Sequence, residues 1–232
     1  MTASQQNHLG QPVGLPVPDP RPRPRPDPVT LRGRWITLVP LQADHADPLL
    51  AAFDADADGR GWTYLPYGPF TSRAEGRDWI ARCAESRDPL FFTLCTPDAT
   101  PQGMASYLRI DPANGSIEVG HIHYAPALQR RPAATEAMLL LMRHAFEDLG
   151  YRRYEWKCDA LNAPSRRAAE RLGFTYEGTF RQAAIVKGRN RDTAWYAITD
   201  QDWPALRSRL DRWLAPENFD AQGQQITRLS QG

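Results

Sequence analysis

Two hydrophobic periodicities divide this chain. Trp35 to Leu41 is nearly continuous in apolar residues and predicts a first strand; Ala43 to Asp54 follows as a helix introduced by polar Gln42 to Asp44. Ser72 to Ser86 carries Ala74, Trp79, Ile80 and Cys83 near helical spacing and predicts a second helix. Residues 55–71 between them read as a loop, with Asp and Gly first and then Trp62, Tyr64, Tyr67 and Phe70. Aromatic rings on a loop either grip a ligand or anchor the loop to the core, and both readings stand here. Three strand-like runs come next, Leu90 to Cys95, Met104 to Ile110 and Ser116 to Tyr124, with turn-rich segments between them. That arrangement predicts an antiparallel meander.

From Pro132 the period lengthens. Ala134, Ala137, Met138, Leu141, Ala145 and Leu149 form one helical stripe that Gly150 ends. Tyr151 to Asp159 alternates as a strand, with Tyr154, Trp156 and Cys158 on one side. A short helix over Pro164 to Leu172 and two strands near Phe174 to Arg181 and Asp192 to Thr199 follow. Asp202 to Leu214 closes the pattern as a helix, with Asp202 as its cap and Pro204 in its first turn. Strands first, then a helix crossing to a parallel neighbour, predict a mixed α/β sheet.

Composition sets the boundaries. Residues 11–28 hold eight of the 21 prolines, including Arg21-Pro22-Arg23-Pro24-Arg25-Pro26, so this arm is expected to be extended, as a linker or laid over its own domain. The division is then a Pro/Arg-rich extension at 1–28, a folded domain at 29–215 and a loose polar tail at 216–232. Lys+Arg is 28 against Asp+Glu 27, which gives no global pull toward nucleic acid or anionic lipid. No apolar run approaches the roughly 20 residues of a membrane span, and Met1 to Gly10 lacks a secretory hydrophobic segment. Cys83, Cys95 and Cys158 are odd in number and widely spaced. They read as reduced thiols of a cytoplasmic protein rather than a disulfide framework or a metal site.

Two segments carry chemistry. Gln129-Arg130-Arg131-Pro132-Ala133-Ala134-Thr135-Glu136-Ala137 opens the long helix with small residues, where free backbone N–H groups and the helix dipole favour a pyrophosphate. Alone it would also suit an ordinary helix start flanked by surface arginines. Asn162-Ala163-Pro164-Ser165-Arg166-Arg167 then leads a short helix that closes in Arg171-Leu172-Gly173-Phe174. Asn162 and Ser165 are good turn and cap residues whatever else they do.

Together these segments resemble the GNAT superfamily of acyl-CoA N-acyltransferases, and the Asn-x-x-Ser…Leu-Gly-Phe pattern resembles its Rim-type branch, which acetylates protein N-termini. The resemblance runs from about Arg34 to Trp203. It implies a GNAT fold, a mostly antiparallel sheet of about seven strands flanked by helices, and acetyl-CoA as acyl donor without a metal. The family cradle, Gln/Arg-x-x-Gly-x-Gly/Ala, appears here as Gln129-x-x-Pro132-x-Ala134, so a proline replaces the first glycine. The resemblance places Gln129, Arg130, Arg131, Ala133, Ala134 and Thr135 around the pyrophosphate, Arg167 near the adenosine phosphate and Asn162 on the pantetheine arm. Ala169 stands where many relatives carry an acidic tyrosine. In the Rim-type branch a serine takes that part, which falls to Ser165.

Backbone N–H groups of Ile122, His123 and Tyr124 would polarise the acetyl carbonyl. Glu118, in Ile117-Glu118-Val119-Gly120, matches the glutamate that the strand before the cradle commonly supplies. A base is needed because α-amines titrate near about 8 and lysine near about 10.4. His121 and His123 are rival bases, and strict alternation puts them on the strand face opposite Glu118, so the two assignments compete. Cys158 has no adjacent histidine and reads as a small buried thiol rather than a nucleophile. Arg181, Lys187, Arg189 and Arg191 suggest either an acidic acceptor or solvated surface charge.

The expected activity is therefore acetyl transfer to a primary amine, either a protein N-terminus or a small molecule, by direct attack. A non-catalytic acyl-CoA-binding module and an interaction protein acting through the Arg-Pro arm are the competing readings. Edge strands late in the sheet would suit a homodimer.

Overall fold

The computed structural model describes residues 4–229. One sheet organises them. β3 (Leu31–Arg32), β4 (Thr37–Pro40), β5 (Leu90–Cys95), β6 (Pro101–Asp111) and β7 (Ser116–Tyr124) run antiparallel in sequence order. β8 (Arg153–Asp159) pairs parallel with β7, and β10 (Arg189–Thr199) then separates it from the edge strand β9 (Thr175–Val186). The eight strands exceed the expected seven because two-residue β3 has no periodicity of its own to read. A separate hairpin of β1 (Ser4–Gln6) and β2 (Pro12–Gly14) lies in the N-terminal arm.

The helices cover both faces. α1 (Ala46–Phe53) and α2 (Arg73–Glu85) pack Leu49, Leu50, Phe53 and Ile80 against Phe91 and Met104. On the other face, α3 (Pro132–Arg143) and α5 (Trp203–Leu214) bury Leu141 and Leu210 with Phe92, Tyr107, Tyr154 and Tyr196. β5 is buried on both faces, which is why its sequence is an unbroken apolar run instead of an alternation. α3 carries the crossover from β7 to β8, continuing through a π-helical turn at His144–Asp148. α4 (Ala163–Leu172) follows β8 and ends at Gly173, whose φ of 96° suits glycine alone.

Two details depart from the sequence expectation, and one open alternative is decided. Asp202 makes no side-chain cap to α5; its carboxylate accepts from the amide and hydroxyl of Thr199 and fixes the β10–α5 turn. The tail is docked, with Phe219 against the rings of Trp35 and Trp213 and Leu229 buried. The Arg-Pro arm lies on its own domain. The Arg23 amide donates to the Pro112 carbonyl (2.9 Å), the Tyr151 hydroxyl donates to the Pro24 carbonyl (3.0 Å), and Arg25 pairs with Asp88 (2.9 Å). Polyproline geometry leaves backbone carbonyls unpaired, and Tyr151 supplies one of the missing donors.

Candidate active site

β7 and β8 start as parallel neighbours and then separate. Their register runs from Ser116 opposite Arg153 to Val119 opposite Trp156 and ends there. Beyond this point the two strands diverge around a cleft of about 210 Å³ lined by both strands, by α4 and by the 61–66 loop. A β-bulge shapes the β7 wall. His121 and Ile122 together face the single Ala105, and His121 takes a φ of 51°.

That bulge overturns the expected competition between strand faces. The extra residue breaks the alternation, so Glu118 and His121 both line the cleft. His121 Nδ1 sits 2.9 Å from the Tyr67 hydroxyl, and burial depresses its pKa to about 4. His123 leaves the cleft. It is buried between Trp62 and Phe53, with ring centroids 3.8 and 4.3 Å away, and burial holds its pKa at about 4 as well. Trp62 thus anchors the aromatic loop, whereas Tyr64, which donates to the Leu161 carbonyl at 3.2 Å, belongs to the cleft wall.

Glu118 is 3% exposed and bound on both oxygens. Arg109 Nη1 donates to Oε1 at 2.7 Å, and Lys157 Nζ lies 2.9 Å from Oε2. Lys157 also pairs with Glu155 at 2.8 Å and lies 3.6 Å above the Trp195 ring. Burial raises the Glu118 pKa, and the two cations oppose that rise. Arg109 and Lys157 were not singled out in the sequence. The only trace was the Glu155-x-Lys157 spacing, which puts opposite charges on one strand face.

Across the cleft, Asn162 caps α4, its side-chain oxygen accepting from the Ser165 amide at 3.1 Å. The Trp156 indole N–H donates to Ser165 Oγ at 3.0 Å. The indole fills one acceptor position of the serine, whose own proton remains to be donated, with the Cys158 thiol beside it as a competing partner. Burial pushes the Cys158 thiol up, which weakens it as a nucleophile.

The cradle segment lies at the start of α3. Pro132 occupies the first turn, and the N-cap Arg131 makes no side-chain cap, so the amides of this turn lack side-chain competitors. Arg130 and Arg131 are exposed, and Ala133 and Ala134 are half-buried. Gln129 is exposed, and its side-chain amide donates to the Tyr124 carbonyl at 2.9 Å. The Thr135 hydroxyl is buried and accepts from Arg171 at 3.0 Å. Arg167 is exposed on α4. These residues fit a pyrophosphate held by main chain and arginine.

Glu136 does something the motif did not suggest. It faces away from the cradle and accepts from the amides of Arg34, Trp35 and Ile36 at 2.9, 2.6 and 3.0 Å. Gly33 makes room for it, since a Cβ there would collide with the carboxylate.

A family model described as an acetyltransferase (GNAT) domain matches residues 36–175. The chain belongs to the GNAT acetyltransferase family. GNAT acetyltransferases draw on acetyl-CoA, and this chain is an acetyl-CoA-dependent enzyme of that family. A crystal structure of a GCN5-related N-acetyltransferase from Brucella melitensis is 49% identical, with a TM-score of 0.88, covering 90% of this chain and 96% of that one. YdaF of Bacillus subtilis, provisionally named a ribosomal N-acetyltransferase, is 30% identical over 106 residues, 46% of this chain and 57% of its own length. The ribosomal-protein-serine acetyltransferase of Escherichia coli is 30% identical over 95 residues, 41% of this chain and 52% of its own. The chain thus spans a little over half the length of these two curated GNAT relatives, whose names agree with the Rim-type resemblance.

No helix among the described residues is long and apolar enough to cross a membrane. No cluster of three or more His, Cys, Asp or Glu side chains suited to a metal occurs among them.

Proposed function

We propose that this protein transfers an acetyl group from acetyl-CoA to a primary amine by direct attack within a ternary complex. When bound, acetyl-CoA supplies the acyl group as a thioester. Glu118 takes the amine's proton directly or through one water, since the amine must be neutral to attack. Arg109 and Lys157 hold the carboxylate in place from either side. The amides of Ile122, His123 and Tyr124, beyond the point where β7 and β8 part, polarise the carbonyl. Ser165 then gives its proton to the departing sulfur while the Trp156 indole fixes its orientation. Holding both reactants in one cleft supplies much of the rate.

The observation that carries this reading is the Ser165 hydroxyl, which accepts from the Trp156 indole on a residue whose amide is capped by Asn162, in the cleft that Glu118 also lines. Asn162 Oδ1 is occupied by the cap, so its Nδ2 is the group that would meet the pantetheine arm. His121 is the weaker candidate for the base, because its Nδ1 is engaged with Tyr67 and burial lowers its pKa to about 4, which makes it a poor proton acceptor.

A protein N-terminus or a small amine is the acceptor, and the protein is proposed to act in the cytoplasm as a single catalytic domain with its arm and tail folded back. Calorimetric titration with acetyl-CoA tests the cradle. Binding should weaken in the Arg130→Ala/Arg131→Ala protein, and thiol release with an added amine should follow binding in the wild type. No binding by the wild type would sink the proposal. Binding without turnover of any amine would point instead to the acyl-CoA-binding module.

A further inference from the structure

We infer that the acceptor carries a carboxylate and that Arg191 receives it, an inference that rests on the acyl-transfer reading above. The β9–β10 hairpin contains four basic residues, and the structure separates them. Arg181 and Arg189 are exposed and lie off the cleft lining. Lys187, at the hairpin tip, is committed to the carbonyls of Trp62 (2.8 Å) and Gly68 (2.5 Å). Arg191 alone of the four lines the cleft shared by Glu118 and Ser165.

Its surroundings leave it without a counter-charge. Arg191 is partly buried, and its Nε is shielded from solvent with no hydrogen-bond partner among the described residues. Each nearby carboxylate is engaged. Glu118 holds Arg109 and Lys157, Asp159 accepts from the Leu161 amide at 2.8 Å, and Asp192 accepts from the Gln182 amide and Asn190. Arg191 pairs with Ala184 at the end of the hairpin's outer ladder, and the register with β9 shifts between it and Thr193. A guanidinium Nε–H shielded from water without a partner is costly, and the planar fork matches a carboxylate with two parallel donors. An acceptor bringing that carboxylate would remove the cost and be oriented by it, with its amine directed toward Glu118.

The test uses the full-length protein and matched probes: α-amino acids and dipeptides as free acids, each beside its C-terminal amide. Thiol release from acetyl-CoA is followed for wild type, Arg191→Gln and Arg191→Lys, and the affinity of the acid probes is measured calorimetrically with coenzyme A present. A charge-assisted hydrogen bond predicts a preference for free acids of about 10- to 100-fold in kcat/KM. Arg191→Gln should abolish that preference through KM, weaken acid binding at least about tenfold, and leave acetyl-CoA affinity unchanged; Arg191→Lys should restore part of it.

Equal use of acids and amides by the wild type would overturn the inference. So would an unaltered preference in Arg191→Gln, or a loss of acetyl-CoA affinity in that variant, which would assign Arg191 to the cofactor. If wild type binds acetyl-CoA yet acetylates none of these acids, this acceptor class fails while the acyl-transfer reading survives. Absence of acetyl-CoA binding altogether would remove that reading too.

Discussion

Glu136→Gln is the sharpest test of how the fold holds its catalytic sheet. In the native protein one carboxylate accepts three backbone amides: Arg34 on Oε1, and Trp35 and Ile36 on Oε2. Hydrogen bonds to a charged group contribute about 1.5–3 kcal/mol each, and neutral ones about 0.5–1.5. A glutamine can keep its carbonyl toward Trp35 and Ile36, but it then turns an NH₂ toward the Arg34 amide. One bond is lost outright and two become neutral. Allowing for the partial exposure of Arg34, the loss is about 2–4 kcal/mol, a large part of an ordinary domain's stability. With a urea m-value of about 2 kcal/mol/M, the midpoint should fall by about 1–2 M. Gly33→Ala provides a check on the geometry. Its methyl would meet the Glu136 carboxylate, so the glycine change should cost less in a Glu136→Ala background than in wild type. An unfolding free energy for Glu136→Gln within about 0.5 kcal/mol of wild type would refute the assignment.

Three further outcomes are expected. Ser165→Ala should lower kcat by about 10²- to 10⁴-fold without changing acetyl-CoA affinity, and Trp156→Phe, which removes only the donor that orients Ser165, should lower it far less; thiol-release kinetics with calorimetry separate the two effects. Burial depresses His121 and His123 to about 4 in the folded protein, against about 6.5 when unfolded, so the unfolded state binds more protons between these values. Stability should therefore be intact above pH 6.5 and fall as the pH drops toward 4, and denaturant midpoints for His123→Phe should show a shallower fall than wild type. Arg25→Ala breaks a half-exposed pair with Asp88 and should cost no more than about 1 kcal/mol by thermal or urea denaturation.

Much of the architecture was legible in the sequence. Leu90 to Cys95 and Ser116 to Tyr124 matched the structure end to end, since a doubly buried run and a flanked strand leave little choice of boundary. The bulge at His121 was not legible. Alternation assigns faces on the assumption of an unbroken ladder, and the register is decided by β6, not by β7 itself. The role of Glu136 was hidden because its partners stand 100 or more residues away, while its neighbours in sequence belong to a helix start that also suits an anion. Proline content foretold an extended arm but not where it docks, which depends on single donors such as the Tyr151 hydroxyl. β9 gave only its first half, because its mostly exposed side chains carry no apolar periodicity to read.

Lys187 ties the tip of the β9–β10 hairpin to both ends of the aromatic loop through the Trp62 and Gly68 carbonyls. The hairpin tip and the aromatic loop, one on each rim, are therefore linked by one ammonium group. A displacement that widens the mouth on the hairpin side pulls the loop with it, and Tyr67 and its hydrogen-bonded His121 move in turn. Access to the cleft then behaves as a single mechanical coordinate, set by a residue that belongs to neither reacting group.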